Sequence, residues 1–261
     1  MTRFLAALIA LVLVSTALQG QDLRGSQVNP IIHVDSVSWN ADTTRVAYRV
    51  EVGAGSVEPL WRFIVAAPAS GVTVSRPTSS GRWRTHTYFR GFNTASWTSL
   101  SVAFAVSDTT PSLQMTAPGY PGVVNSWSHG RFERPTLSES DTIASYPDPA
   151  SANGSAQRLT VGVVAAPADT SPGGLIARLS SLQTDVCGTL GWLSNSTICS
   201  AVSAKISQAS TDIGNGDDAS AATELAILMT ELHTWFTVGD ISDHVYWLLE
   251  VNAAIIHAMI S

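Results

Sequence analysis

The sequence predicts a two-domain protein, an all-β antiparallel sandwich followed by an all-α four-helix bundle. Within residues 30–165, short runs rich in β-branched and aromatic residues alternate with turn residues, which is typical of strands. Residues 175–261 instead carry apolar side chains at helical spacing. Residues 166–174 lack periodicity and are rich in Pro and Gly, so they are predicted to form a linker. We expect each domain to enclose a separate hydrophobic interior.

Residues 1–20 have the pattern of a signal peptide. Arg3 precedes an apolar run over 4–14, and small residues follow it at Ala17 and Gly20, either of which fits the cleavage site. The run is shorter than the roughly 20 residues that a transmembrane helix needs, although an uncleaved anchor is the alternative. We therefore expect a secreted, periplasmic or cell-surface protein with no membrane span in the mature chain.

Charge is sparse and unevenly distributed. Charged residues make up 13% of the chain, against about 25% in an ordinary soluble domain. From Leu175 onward there are two basic and nine acidic residues. An acidic domain repels phosphates, which argues against nucleic acid and anionic lipid surfaces as partners.

The β region contains several predicted strands. The clearest covers 45–52, where Val46, Tyr48 and Val50 alternate with polar residues, as in a strand with one buried face. A strand over 31–39 precedes it, and residues 40–43 are predicted to form the hairpin turn between the two. Further strands are predicted over 60–67, 82–90, 97–106 and 157–164, whereas 117–122 has the Pro and Gly content of a turn-rich crossing.

The strand predicted over 82–90 offers the candidate binding site. Its alternation gathers five residues on one face: Arg82, Arg84, His86, Tyr88 and Arg90. Guanidinium groups form bidentate hydrogen bonds with carboxylates and other oxyanions, so this face could bind an anionic polymer or a sugar acid. The alternative is the charged outer face of an edge strand, where charges prevent association between sheets.

The two cysteines of the chain, Cys187 and Cys199, are predicted to form a disulfide bond. An export signal implies an oxidising compartment, and an even cysteine count suits a bridge. The bridge would join the end of one helix to the start of the next. No pattern of His and Cys has the spacing of a metal site, so no metal is expected.

The chain ends in a predicted helical hairpin. Gly239 is expected to end one helix and Asp240 to cap the next. Asn252 falls on the apolar stripe and is expected either to make an interhelical hydrogen bond or to lie at the edge of the helix. Residues 187–260 resemble FIMAH-type domains, helical modules of exported bacterial proteins that have no established activity to carry over. The resemblance is carried by Trp192, Asn195, Lys205, the turn at 214–217, and residues 225–236, 239–242, 248–249 and 255–256.

No catalytic or cofactor-binding motif is found in the chain. There is no zinc-protease HExxH helix, GxSxG elbow, phosphate loop or dinucleotide fingerprint. We therefore predict an exported, non-catalytic binding protein without a cofactor, whose partner is a glycan or an extracellular protein. The alternative is an extracellular polymer (polysaccharide) hydrolase. A cleft with two carboxylates, or a Ser/His/Asp trio within hydrogen-bond reach, would favour that alternative.

Overall fold

The structure is a computed structural model that describes residues 28–68, 70–78, 82–89, 92–100, 103–130 and 157–261, without the side chains of residues 88, 89 and 92. The predicted signal peptide and Arg90 lie outside the described residues. Within them, strands occupy the N-terminal part and four helices the C-terminal part. This agrees with the predicted division into a β region and an α region.

The first sheet has four antiparallel strands in the order β1-β2-β7-β4. They are β1 (Pro30–Asn40), β2 (Thr43–Val52), β4 (Thr73–Ser75) and β7 (Leu113–Pro118). Ala41 and Asp42 join β1 to β2 with φ angles of 45° and 63°, as in a two-residue hairpin turn of the primed type. The predicted hairpin is confirmed, whereas β4 and β7 were not predicted.

The second sheet has five antiparallel strands in the order β5-β6-β3-β8-β9. They are β3 (Leu60–Ala66), β5 (Trp83–Phe89), β6 (Phe92–Ser99), β8 (Tyr120–Gly130) and β9 (Gln157–Val164). The strands predicted over 60–67, 82–90 and 157–164 correspond to β3, β5 and β9. Strand β6 begins five residues before the predicted 97–106 segment and ends at Ser99.

Strand β8 shows where the sequence prediction was wrong, because 117–122 is not a loop. Gly119 alone separates β7 from β8 and adopts a φ of 129°, and a Cβ atom there would lie 2.1 Å from the Val164 carbonyl oxygen. Pro121 follows within β8, at a point where β8 pairs only with β9. Because no strand pairs with the other edge of β8 at this point, the missing N–H of Pro121 interrupts no hydrogen-bond ladder there. The Gly and Pro residues mark a sharp corner between two sheets.

Inner faces of the two sheets meet around Tyr48. Its fully buried ring lies 5.8 Å from the ring of Phe63 and 6.3 Å from that of Trp97, centroid to centroid. Its hydroxyl donates a hydrogen bond of 2.8 Å to the Val161 carbonyl oxygen on β9. Burial raises the pKa of Tyr48, so the phenol stays protonated and keeps this bond.

Four helices follow the sheets: α1 (Pro172–Cys187), α2 (Ser196–Gly214), α3 (Asp218–Val238) and α4 (Asp243–Ile260). Helix α1 starts within the predicted linker, because the Ser171 side chain accepts a hydrogen bond from the Gly174 N–H and Pro172 suits the first turn. No described helix is long and apolar enough to cross a membrane.

The ends of α3 and α4 refine the predicted hairpin. Gly239 ends α3 with a φ of 84°, as predicted. The prediction that Asp240 caps α4 was wrong, because the Asp240 N–H belongs to the preceding turn and donates to the Trp235 carbonyl oxygen. Ser242 caps α4 instead and accepts a hydrogen bond from the Val245 N–H.

The predicted disulfide bond between Cys187 and Cys199 is confirmed, with a Cα–Cα distance of 6.0 Å. It joins the last residue of α1 to the first turn of α2. The two helices are therefore held together at the loop that contains Trp192.

Buried hydrophobic side chains form one connected cluster that runs from the sheets into the helices. This differs from the two separate interiors that the sequence predicts. A polar contact lies at the junction, where the Arg178 guanidinium of α1 donates to Asn252 Oδ1 of α4 and to the Pro121 carbonyl oxygen of β8. The interhelical hydrogen bond predicted for Asn252 is therefore present, and the domain boundaries themselves remain a prediction.

Candidate functional site

A lateral row of basic and hydroxyl side chains crosses the second sheet. Arg84 on β5 lies opposite Thr98 on β6, Thr98 opposite Arg62 on β3, and Arg62 opposite His129 on β8. Directly opposed residues of antiparallel strands share a face of the sheet. The four side chains therefore lie on one face, which we call the outer basic face.

The outer basic face points away from the first sheet. Phe63 and Trp97 alternate with Arg62 and Thr98 along their strands, and it is these rings that contact Tyr48 of the first sheet. Since side chains alternate along a strand, Arg62 and Thr98 project to the opposite side.

The charge of the second sheet has one sign. Its five strands contain no Asp or Glu. Their Arg and His residues are Arg62, Arg84, Arg158, His86 and His129. In the first sheet, by contrast, β1 contains Asp35 and β2 contains Glu51, and Arg49 of β2 pairs with Asp35 at 2.8 Å. The strands of the second sheet therefore contain basic residues and no acidic ones.

Arg62 is held in a fixed position on this face. Only 3% of the residue is exposed, its Nε donates a 2.8 Å hydrogen bond to Thr98 Oγ1, and its guanidinium carbon lies 5.0 Å from the centroid of the Trp61 ring. A buried guanidinium keeps its charge because its pKa is so high. Arg62 thus supplies a permanent positive charge at the centre of the sheet.

Two histidines near Arg62 have lowered pKa values. Burial, followed by the charge of Arg62, lowers the pKa of His129 to about 3. Burial also lowers the pKa of His86, and the charges of Arg62 and Arg84 add to the effect. Both imidazoles are therefore neutral at pH 7, mainly because of burial, and the arginine charges add a smaller effect in the same direction.

Three of the five predicted binding residues have described side chains. Arg82, Arg84 and His86 are exposed, at or beside β5 on the edge of the sheet. A β-bulge falls between His86 and Tyr88, which interrupts the predicted alternation over 82–90. The side chains of Tyr88 and Arg90 lie outside the description, so the full five-residue face stays a prediction.

Sequence analysis missed Arg62 and His129 as members of this face. One signal was present, since Arg62 interrupts the otherwise apolar run of β3. A lone buried arginine in an apolar strand requires a partner or a function. His129 carried no such signal, because β8 was not predicted there.

A second polar cluster lies where the sheets meet the helices. Thr160 Oγ1 on β9 lies 3.2 Å from His244 Nε2, and His244 Nδ1 lies 2.7 Å from Asp243 Oδ1 at the start of α4. The other carboxylate oxygen of Asp243 accepts a 2.8 Å hydrogen bond from the Val34 N–H on β1. This chain of contacts links β9, α4 and β1.

Burial opposes the ionised form of Asp243, but its hydrogen bonds and the charge of His244 outweigh that effect. The hydrogen bond from the His244 ring, the charge of His244 and the backbone N–H groups of Val34 and His244 together lower the pKa of Asp243. Asp243 is therefore a carboxylate at neutral pH and fixes the ring of His244 by accepting at Nδ1.

The Thr160, His244 and Asp243 trio has the order of a nucleophile, a base and an orienting acid. Thr160, however, has no exposed surface. A substrate carbonyl could reach its Oγ1 only if β9 separated from α4. Within the described residues, no three His, Cys, Asp or Glu side chains are arranged to hold a metal ion.

No family model matches the chain, and no curated protein matches it. The resemblance of residues 187–260 to FIMAH-type domains therefore remains a prediction from the sequence.

Proposed function

We propose that the protein is an exported, non-catalytic binding protein that holds an anionic glycan or a related polyanion at the exposed edge of the outer basic face, around Arg82, Arg84 and His86. In this proposal the two sheets form a sandwich that presents the face, and the helices form a four-helix bundle that acts as an accessory module. The observation that carries the proposal is the exposure of Arg82 and Arg84 at the edge of a sheet whose strands contain no acidic residue.

Each residue has a separate task in this proposal. The exposed Arg82 and Arg84 donate bidentate hydrogen bonds to carboxylate or sulfate groups. His86 is neutral at pH 7 because its pKa is lowered, so it contributes hydrogen bonds to sugar hydroxyls rather than charge. The buried Arg62 lies two strands away on the same face and does not touch the ligand, but its charge adds to the attraction.

Hydrolysis of an extracellular polymer is the second candidate, and the Thr160, His244 and Asp243 trio is the observation that favours it. Complete burial of Thr160 counts against it, because a nucleophile must meet its substrate. The trio is better explained as a polar contact that fixes α4 against the two sheets.

Titration with polygalacturonate, a polymer of sugar acids, tests the proposed face. A double variant, Arg82→Gln with Arg84→Gln, should bind at least about tenfold more weakly, since each lost charge-assisted contact contributes roughly 1.5–3 kcal/mol. The matched control is Arg45→Gln with Arg49→Gln, which removes the same charge from exposed positions of the first sheet. Binding should also weaken as salt is added. Equal weakening in both double variants, or tight binding of neutral dextran, would contradict the proposal.

A further inference from the structure

A cavity of about 320 Å³ lies between the free edges of the two sheets and the helices. Its size is at the lower end of the range for small-ligand sites, roughly 300–1,000 Å³. It is lined by Pro30 and Ile32 of β1, Arg158 and Leu159 of β9, Trp192 of the α1–α2 loop, and Ser242 and His244 at the start of α4. The cavity borders β9, and β5 forms the opposite edge of the second sheet. The cavity is therefore separate from the predicted binding strand.

The edge of β1 presents backbone hydrogen-bonding groups to this cavity. Ile32 lies opposite Val50 in the β1–β2 pair. The N–H and carbonyl of Val50 are both bonded to Thr110, on the side away from β1. In an antiparallel pair, both members of such a position point outward. The Ile32 N–H and carbonyl therefore face away from β2 and have no partner among the described residues.

The edge of β9 is oriented in the same manner. The Val161 carbonyl accepts a hydrogen bond from the Tyr48 hydroxyl and so points away from β8. Backbone direction alternates along a strand, so Leu159, two residues earlier, also directs its N–H and carbonyl outward. The cavity is thus bordered on two sides by strand edges that direct backbone groups outward, at Ile32 on β1 and at Leu159 on β9.

Side chains complete the cavity with an aromatic wall and a positive charge. The Trp192 ring meets the His244 ring edge-on at 5.0 Å between centroids, and His244 is fixed by Asp243 and Thr160. The guanidinium of Arg158 donates to Asn29 Oδ1 at 3.2 Å and to the Gln157 carbonyl oxygen at 2.9 Å, which holds it at the rim.

We propose that this cavity binds the C-terminal end of an extended peptide by strand addition to β1. The peptide backbone pairs with the N–H and carbonyl of Ile32, a peptide side chain packs against Trp192, and the terminal carboxylate lies near the charge of Arg158. The Asp243 carboxylate already occupies the next outward N–H, that of Val34, so a strand cannot continue along β1 past this point. An added strand antiparallel to β1 therefore begins at Val34. It ends beside Pro30, which has no N–H to continue the pairing, so its C-terminus lies near Asn29 and the guanidinium of Arg158.

The first test uses fluorescence anisotropy with the full mature chain and a labelled peptide of alternating Thr and Val that carries a free carboxylate. The expected Kd of this peptide is on the order of 1 mM or lower. The same peptide with a C-terminal amide should bind about tenfold more weakly, and one with N-methyl groups on alternate residues should lose binding because it cannot pair with a strand. No binding, or equal binding of all three peptides, would overturn the proposal.

Variants test the position of the site. Ile32→Pro removes the outward N–H and leaves the β1–β2 ladder intact, since that N–H is not part of it. It should abolish binding of the free-carboxylate peptide, whereas Ile32→Val, which keeps the N–H, should retain it. Arg158→Gln should remove the preference for the carboxylate over the amide. Binding by Ile32→Pro equal to that of Ile32→Val would overturn the proposal, and if Ile32→Pro fails to fold, the three peptides alone decide it.

Discussion

At the scale of single residues, polar side chains buried in apolar surroundings carry most of the information about function. An interhelical hydrogen bond was one of two predictions for Asn252, the other being a position at the helix edge, because a buried amide needs a partner. The structure supplies Arg178 and adds the Pro121 carbonyl. The Pro121 contact could not be predicted, since it joins residues 131 positions apart through packing that local patterns do not encode.

His129 leads to a prediction about pH. Its pKa is about 3 in the folded protein and about 6.5 when unfolded. Between these values the unfolded chain binds a proton that the folded protein does not, so stability falls as the pH falls. His129→Gln should reduce that slope by up to about 1.4 kcal/mol per pH unit.

The measurement is urea unfolding of the wild type and His129→Gln at several pH values from 8 to 4. At pH 8 the imidazole is neutral in both states, so the difference there isolates lost packing and hydrogen bonding. A difference between the two proteins that stays constant across the pH series would show that His129 is not buried in its neutral form.

At the scale of elements, the periodicity of apolar residues predicted the strands and helices whose formation depends on local sequence. Strands β1, β2, β3, β5 and β9 and the helical region follow the alternation or the helical spacing of their apolar residues. Strands β7 and β8 were missed because they meet at a sharp corner between the two sheets, at Gly119. The Gly and Pro residues around this corner form a local pattern that is typical of a loop. The partners of each strand depend on contacts distant in sequence, so the outer basic face was predicted only along β5.

Asp243 is expected to stabilise the attachment of α4 to β1. Asp243→Ala leaves the Val34 N–H and the His244 ring without their acceptor and should lower the free energy of unfolding by roughly 1–3 kcal/mol at pH 7. The lowered pKa means that this contribution is present above the carboxyl's unfolded pKa and is lost as the pH falls through its folded pKa. The wild type and Asp243→Ala should therefore converge in strong acid.

Chemical denaturation followed by circular dichroism measures this effect. Asp240→Ala is the matched control, because Asp240 is an exposed acid in the same α3–α4 turn and its side chain has no described hydrogen bond. It should leave stability within about 0.5 kcal/mol of the wild type. An equal loss in the two variants would show that Asp243 contributes only through the charge of the turn.

At the scale of the whole molecule, the sheets and the helices depend on each other. One cluster of buried side chains spans both, and the contacts of Arg178, Asn252 and Asp243 with β8 and β1 lie across the junction. The sequence predicts two interiors because its apolar periodicity changes abruptly near residue 170. Periodicity shows which face of an element is buried and does not show which neighbour covers it.

Native-state hydrogen exchange, resolved by segment, tests the continuous interior most directly. If strands β1, β8 and β9 and helices α1 and α4 share one core, their slowest amides should exchange with the same free energy and respond to urea with the same slope, because they open together. Helices that stay protected at urea concentrations where the strands have already opened would contradict the continuous interior and show two independent cores.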